Sequence, residues 1–359
     1  MKVVCYNAEC GDAFRLEFIG KSGKVRHILL DAGYERTFRN VIVNELNLIE
    51  KKNENIDLCI ITHIHDDHVG GIISFVNAVN AGRQNDIVLQ WWFNPPRISS
   101  LTLKQQKLNS IAASIGQADI LTSYLNFRNA LPISPIIYSE IVHEIDGLEI
   151  SILSPDQIGL NKLTKKYINS KIAVEKIEDE KTSRAVASKN RDYHIRVEEF
   201  DFKGWKEDVN IENGSSIVLL TKFQGKTILW LSDSFPSIVI KSLEKLGYSK
   251  TNRLVCDYVK IAHHGSLGNN SSELYQIIKC QNYILSTDGY NRHGLPTKAC
   301  LVQILTNPQR NSEDHYKFYL TCKDDTLLKI FDVDGDDIWK RLNFEIIYPK
   351  HKDSFEIMF

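Results

Sequence analysis

Apolar and polar positions in the first third of the chain fall mostly into short runs with the spacing of strands. Residues 1–6, 13–19 and 25–30 read as strands, with a turn at 20–23 that begins and ends on glycine. The third run continues into Asp31-Ala32-Gly33, so it ends in a carboxylate. Residues 37–52 differ: Val41, Val43, Leu46, Leu48 and Ile49 recur at helical spacing, and the segment closes on lysines. Leu58-Cys59-Ile60-Ile61-Thr62 is an apolar, β-branched run that suits a buried strand. A helix is predicted over 71–81 and a strand over 87–93, stopped by Pro95-Pro96. The alternation is that of an α/β protein.

Further on, 98–129 is helical in composition, while 136–142 and 148–153 read as strands. Residues 156–212 are rich in Lys, Glu, Asn, Asp and Arg and poor in apolar clusters; they read as an insertion, solvated and partly mobile. Core patterning resumes with strands over 215–220 and 226–231, a helix over 238–246, and strands over 254–262 and 283–286. These strands end in polar groups: Ser232-Asp233-Ser234, His263-His264-Gly265-Ser266 and Thr287-Asp288-Gly289. One site built from many strand ends explains that recurrence better than several unrelated loops. A main domain is thus expected over 1–308. Residues 309–359 alternate as strands (315–321, 344–348, 355–359) and read as a C-terminal β extension that completes a sheet edge or an interface. The run from Asp332 to Asp337 lacks the glycine at the sixth position and the glutamate at the twelfth of a calcium loop, so it reads as a tight acidic turn.

Composition narrows the class. At 359 residues, 43% hydrophobic and 25% charged, the chain can bury a large core. The formal net charge of −1 supplies no global field for nucleic acid, so any such attraction needs a local patch. Seven scattered cysteines with no CxxC pair point to reduced thiols and a cytosolic compartment. No signal-like N-terminus is visible, and no apolar run approaches the roughly 20 residues that cross a bilayer. A membrane role is not expected.

The densest chemistry follows the run at 58–62: His63-Ile64-His65-Asp66-Asp67-His68. In extended chain His63 and His65 share a face and can reach one point. Asp67 and His68 would diverge in a strand, but a turn aided by Gly70-Gly71 lets both face a second point. The pattern therefore suggests two divalent ions, with Zn²⁺ ahead of Mn²⁺ or Fe²⁺. A solvated loop would explain a lone histidine; it explains three His and two Asp within six residues poorly.

Strand-Asp31-Ala-Gly, His63-x-His65-x-Asp67-His68, strand-Ser-Asp233 and strand-His263-His264-Gly-Ser, in that order, resemble the metallo-β-lactamase-fold hydrolases. Within these, Asn213-x-x-Ser216-Ile-Val-Leu-Leu and Lys260-Ile-Ala-His-His-Gly-Ser look like the branch that contains the hydrolase domain of DNA-uptake competence proteins and a phosphorylcholine esterase. The resemblance covers roughly residues 1–305. It implies an αββα sandwich with a dinuclear site on the open edge between two sheets. His63 and His65 would bind one ion and Asp67 and His68 the other. Asp233 would bridge them and His264 would join the second. Asp31 would orient the ligand loop, with His263 and Ser266 in support. Two departures stand out. No motif identifies a further histidine for the first ion, although His143 and His194 fall in the right interval. The branch's Asn-x-Tyr-Gly-His-Pro reads here Asn291-Arg292-His293-Gly294-Leu295-Pro296, with the histidine two residues early. His293 is then a candidate acid or anion-binding group, and Asn291 a candidate substrate contact.

The resemblance implies a metal-dependent hydrolase, a phosphodiesterase or nuclease in which Asp67 accepts the nucleophile's proton. Lys162, Lys165, Lys166, Lys171, Lys181, Arg184, Lys189 and Arg191, with Tyr167 and Tyr193, could track a phosphate backbone. Glu175, Glu178, Asp179 and Glu180 in the same segment suit a plain solvated loop instead. The alternatives are a hydrolase of a small ester, lactam or thioester, and an auxiliary subunit whose C-terminal strands bind a protein partner or a second copy.

Overall fold

The computed structural model describes residues 1–97, 114–168 and 191–359. Two sheets lie face to face, each covered by helices on its outer side. The first has the strand order β16-β1-β2-β3-β4-β5, from Lys2–Tyr6 (β1), Phe14–Ile19 (β2), Val25–Leu30 (β3), Leu58–Ile60 (β4), Trp91–Trp92 (β5) and Ser354–Met358 (β16). The second has the order β15-β14-β13-β11-β9-β8-β7-β6. Its strands are Val142–Ile145 (β6), Leu148–Ser154 (β7), Val218–Phe223 (β8), Lys226–Trp230 (β9), Tyr258–Lys260 (β11), Asn282–Leu285 (β13), Tyr316–Leu320 (β14) and Phe344–Ile347 (β15). Leu254–Val255 (β10) and Ile278–Lys279 (β12) form a separate small ladder.

Strand alternation accounts for the layering. Odd and even side chains point to opposite faces, and here both faces of the central strands are apolar. Ile28, Leu30, Leu58 and Ile60 meet Leu219, Ile228, Trp230 and Ile284 between the sheets. Their neighbours Leu29, Cys59 and Ile61 face the helices of the first outer layer: Val43–Lys51 (α2), Asp66–Asn80 (α3), Ser114–Phe127 (α4) and Gln157–Tyr167 (α5). On the other side Leu220, Leu229, Val259 and Leu285 face Pro236–Lys245 (α6), Ser272–Ile277 (α7) and Lys298–Leu305 (α8). Among the described residues the remaining α-helices are two short pieces, Glu35–Thr37 (α1), which a π turn over Phe38–Ile42 joins to α2, and Ile338–Arg341 (α9). The order helix, sheet, sheet, helix is the expected αββα sandwich.

Strand direction then positions the site. β3 and β4 are parallel, as are β9, β11 and β13, so their C-terminal ends share one edge of the sandwich. Ligands in open parallel sheets gather at such an edge. Thr62 O accepts from Ile217 N at 2.9 Å, which ties the two sheets together there.

Local departures from the sequence reading have local causes. The helix expected over 71–81 begins five residues earlier, at Asp66, with His65 extended at its N-cap. Asp66 and Asp67 in the first turn sit favourably against the positive end of the helix dipole. The turn that brings Asp67 and His68 round is thus a helix start, not a bend at Gly70-Gly71. Gly71 serves close packing: a Cβ there would lie 2.1 Å from Ala32 O. The strand expected over 87–93 hydrogen-bonds along β4 from Ile87 onward but is regular only at Trp91–Trp92. Residues 136–141 form no strand, since Ile136 is pinned by two backbone bonds to the Asn94 carboxamide, and β6 starts at Val142. The run at 254–262 divides into β10 and β11 where Asp257 N turns to Thr227 O.

The charged segment at 156–212 is more ordered than expected where it is described. Asp156 caps α5 through Gly159 N, and Leu160 and Leu163 pack under the first layer. Arg191 and Tyr193 are buried. Lys171, Lys181, Arg184, Lys189, Glu175, Glu178, Asp179 and Glu180 lie outside the described residues, as does part of the 98–129 prediction. Of residues 309–359, β14 and β15 continue the second sheet and β16 pairs antiparallel with β1. Asp334 in the acidic turn holds Val197 N and the Lys298 ammonium. No helix among the described residues is long and apolar enough to cross a membrane.

Candidate metal centre

Three strand ends and one helix start deliver the predicted ligands to one place. β4 hands over to His63 and His65, α3 supplies Asp67 and His68, β9 leads to Asp233, and β11 leads to His264. Among the described residues, three groups of side chains are close enough to hold a cation: Asp67, His68, Asp233 and His264; His63, His65 and Asp233; and Asp12, Asp31 and His68. Asp233 belongs to the first two. Its Oδ2 lies 3.7 Å from His63 Nε2 and 3.8 Å from His264 Nε2, and its Oδ1 lies 3.5 Å from His68 Nε2. His63 Nε2 and His65 Nδ1 are 3.0 Å apart, and Asp67 Oδ2 is 3.2 Å from His264 Nε2.

The backing of these rings is uneven. His68 Nδ1 donates to Asp31 Oδ2 at 2.8 Å, and Asp31 also accepts from Thr62 N and Thr62 Oγ1. His264 Nδ1 donates to Ser286 O at 2.8 Å. Both rings therefore turn Nε2 toward Asp233. His63 Nδ1 has only Thr62 Oγ1, at 3.3 Å.

Two observations show that this cluster is incomplete as a purely protein assembly. Both Asp233 oxygens and His68 Nε2 are buried with no hydrogen-bond partner, and a buried polar group left without one costs free energy. Asp31, Ser232, His263 and His264 all hold positive φ, at 53°, 50°, 43° and 52°. Non-glycine residues in that region cost roughly 1–3 kcal/mol each and collect at functional sites. Aligned orphan acceptors of N and O type fit a divalent cation.

Charge within the cluster is already polarised. Burial alone would raise the Asp67 carboxyl, but His68 and His264 beside it hold it far below the usual carboxylate range. Burial opposes charge on His68 and His264 too, yet the surrounding aspartates raise both imidazoles. For His63 and His65 burial prevails and keeps both below the usual imidazole range.

The remaining candidates divide. His263 Nε2 lies 3.6 Å from Asp233 Oδ2, and its Nδ1 is held by Asn269 Oδ1 at 2.7 Å. Ser266 N donates to His263 O, so Ser266 shapes the loop. His293 is exposed, with Nε2 accepting from Arg292 Nε at 3.1 Å; partial desolvation and Arg292 lower its pKa, while Asp67 acts on it from the cluster. The Asn291 carboxamide is committed to its own loop, through Asp288 O and Leu295 O and from Leu295 N. His143 packs on Trp92 with ring centroids 4.8 Å apart, and His194 is exposed, bonded to Arg191 O; neither is in a cation-holding group. Arg191 and Tyr193 clamp Gly289 O, Leu295 O and Pro296 O, which takes them away from a nucleic-acid surface. Sequence reasoning missed Asp12. One carboxylate after Cys10-Gly11 gives no periodic or motif signal, and only the folded β1–β2 loop brings it under the cluster.

A sequence profile of the metallo-beta-lactamase superfamily matches residues 19–84, the stretch that carries His63, His65, Asp67 and His68. No curated protein matches the chain. Among solved structures the chain is similar to Zn²⁺-bound PqqB from Methylobacterium extorquens, at 11% identity over 100% of both chains with a TM-score of 0.43. It is also similar to the metallo-beta-lactamase fold protein YhfI from Bacillus subtilis, at 10% identity over 99% of each chain with a TM-score of 0.40. A mutant of CmlA beta-hydroxylase aligns at 11% identity over 100% of this chain and 54% of that one, with a TM-score of 0.40.

Proposed function

We propose that this chain is a metallohydrolase that holds two divalent cations and cleaves phosphodiesters. The observation that carries the reading is Asp233, whose two buried, unpartnered oxygens are shared between the His63–His65 group and the Asp67–His68–His264 group. His63, His65 and Asp233 would hold one cation, and Asp67, His68, Asp233 and His264 the other. Cations bound there supply Lewis acidity toward an ester and lower the pKa of water. Asp67, partly exposed and kept ionised by its histidine neighbours, accepts a proton from water. Arg292 and His293 at the rim meet the phosphate, Arg292 as the fixed positive charge. The likeness of Asn213-x-x-Ser216 and Lys260-Ile-Ala-His-His-Gly-Ser to the competence-protein and phosphorylcholine-esterase branch supports the phosphodiester over a lactam or thioester; the fold alone does not choose.

The test is a cleavage panel with metal analysis. Purified protein supplied with Zn²⁺ or Mn²⁺ should bind near two ions per chain and cleave labelled single- or double-stranded DNA or RNA, or an aryl phosphodiester. Turnover of a chromogenic lactam or thioester with every phosphodiester intact would reject the substrate class. Metal bound with no turnover of any class would reject the enzyme.

A further inference from the structure

Beneath the candidate ligands lies a buried ion pair with no part in the reading above. Asp12 leaves the β1–β2 loop and Lys260 ends β11, so the pair joins the first sheet to the second. Both side chains are nearly inaccessible, at 3% and 1% exposure, and Asp12 Oδ2 contacts Lys260 Nζ directly. Lys260 Nζ also donates to Ser232 O, next to Asp233, at 3.3 Å. The loop is fixed on several sides: Asp12 N donates to Asp67 O, Gly33 N donates to Asp12 O, and Ser286 Oγ donates to Gly11 O. A Cβ on Gly11 would lie 2.4 Å from Asp67 O, so the backbone there runs directly against the ligand helix.

The free end of the carboxylate is informative. Asp12 Oδ1 is buried and has no hydrogen-bond partner. It lies 3.6 Å from His264 Nδ1, and Oδ2 lies 4.0 Å from His68 Nδ1. One carboxylate thus stands behind the Nδ1 side of both rings, while their Nε2 atoms face Asp233. A negative charge there holds a proton on Nδ1, where Ser286 O and Asp31 accept it, so that the proton given up when a cation binds is the one on Nε2, facing Asp233. An unpaired carboxylate in that place would compete for those protons, and burying it alone costs several kcal/mol. Lys260 removes both problems.

We propose that Asp12 and Lys260 form a positioning pair that presets His68 and His264, one ring from each half of the molecule, for the cation held by Asp67, His68, Asp233 and His264. This rests on the two-cation reading and adds that the pair acts on one cation and not the other.

Stepwise Co²⁺ titration of the whole protein, read by visible absorption, separates the two sites. Asp12→Asn, nearly isosteric, should weaken the Asp67–His68–Asp233–His264 cation roughly 10–100-fold, the range for groups that orient metal ligands, and alter its absorption bands. The His63–His65 cation should keep its affinity and spectrum. Lys260→Arg should retain both cations, whereas Lys260→Met should not. Because the pair acts as a unit, Asp12→Asn combined with Lys260→Met should lose no more affinity than Asp12→Asn alone. Circular dichroism and thermal unfolding of the metal-free variants check the fold. Equal weakening of both cations, or strictly additive losses, or no change in Asp12→Asn, would overturn the pair's role. Wild type that takes up no Co²⁺ would overturn the two-cation reading itself.

Discussion

The two halves of the centre share Asp233 but are built differently. On one side His68 and His264 are each locked through Nδ1 by a strong acceptor at 2.8 Å, Asp31 and Ser286 O. On the other, His63 has a 3.3 Å contact to Thr62 Oγ1, and its closest polar neighbour is the other ligand, His65 Nδ1 at 3.0 Å. Rings held by their far nitrogen lose little freedom when they bind. The contrast teaches that ligand count and preorganisation are separate properties. The Asp67–His68–His264 half has more donors and firmer ones, so it should fill first.

The largest effect should come from the shared residue. Asp233→Asn removes charge from both halves, and metal analysis should find neither cation retained, with the rate of the proposed phosphodiester cleavage down by more than about 100-fold, beyond the range for supporting groups. Retention of one full equivalent would break the idea of a common bridge. The same dependence should appear as stability: a cation at 100 times its Kd adds about 2.7 kcal/mol to unfolding, and chelation of wild type should reverse that gain.

Next come the single-half substitutions. His264→Ala should leave one weakly bound equivalent per chain, and His65→Ala one tightly bound equivalent; the reverse order, measured by competition with a chelator, would invert the comparison. Asp31→Asn is the milder probe. It keeps the shape and removes the acceptor behind His68, so the tighter cation alone should weaken by roughly 10–100-fold.

The sequence showed these two halves unequally, for physical reasons. Short-range information carries strand ends and their ligands: a β-branched run closing on His63-Ile64-His65-Asp66-Asp67-His68 is visible without any fold. It also pointed to Asp233 and His264 through similar strand ends. What it could not carry is contact between distant loops. Asp12 meets Lys260 only because the two sheets face each other, and Arg191 and Tyr193 turn inward only because the loop at 289–296 offers them three carbonyls, two to Arg191 and one to Tyr193. Composition made 156–212 look solvated, yet Leu160, Leu163 and Tyr193 find apolar cover that no window of sequence reveals. Helix start signals were present in Asp66 and Asp67, but Gly70-Gly71 suggested a turn there, with the helix beginning only at 71.

The smallest effect, and the one with a sign that differs between halves, is pH dependence of the metal-free fold. His63 and His65 are held below their ordinary pKa, first by burial, so they bind fewer protons folded than unfolded. Their contribution to stability is complete above about pH 6.5 and is lost as pH falls from there toward the depressed folded values. His68 and His264 run the other way, because the aspartates around them overcome burial and raise both. Their contribution is complete below about pH 6.5 and is lost as pH rises through the raised folded values. Each tenfold displacement in proton affinity is worth about 1.4 kcal/mol. Denaturant unfolding of chelated protein across pH should therefore show a shallower acid-side loss in His65→Ala than in wild type, and a shallower alkaline-side loss in His264→Ala. Cation uptake follows from the same balance. The Asp67–His68–His264 half must release protons to bind near neutrality, and its affinity should fall with falling pH, while the His63–His65 half binds already neutral rings and should show little dependence above about pH 6.5. Parallel pH profiles for the two cations would remove the electrostatic difference between the halves and leave only the difference in their hydrogen-bonded backing.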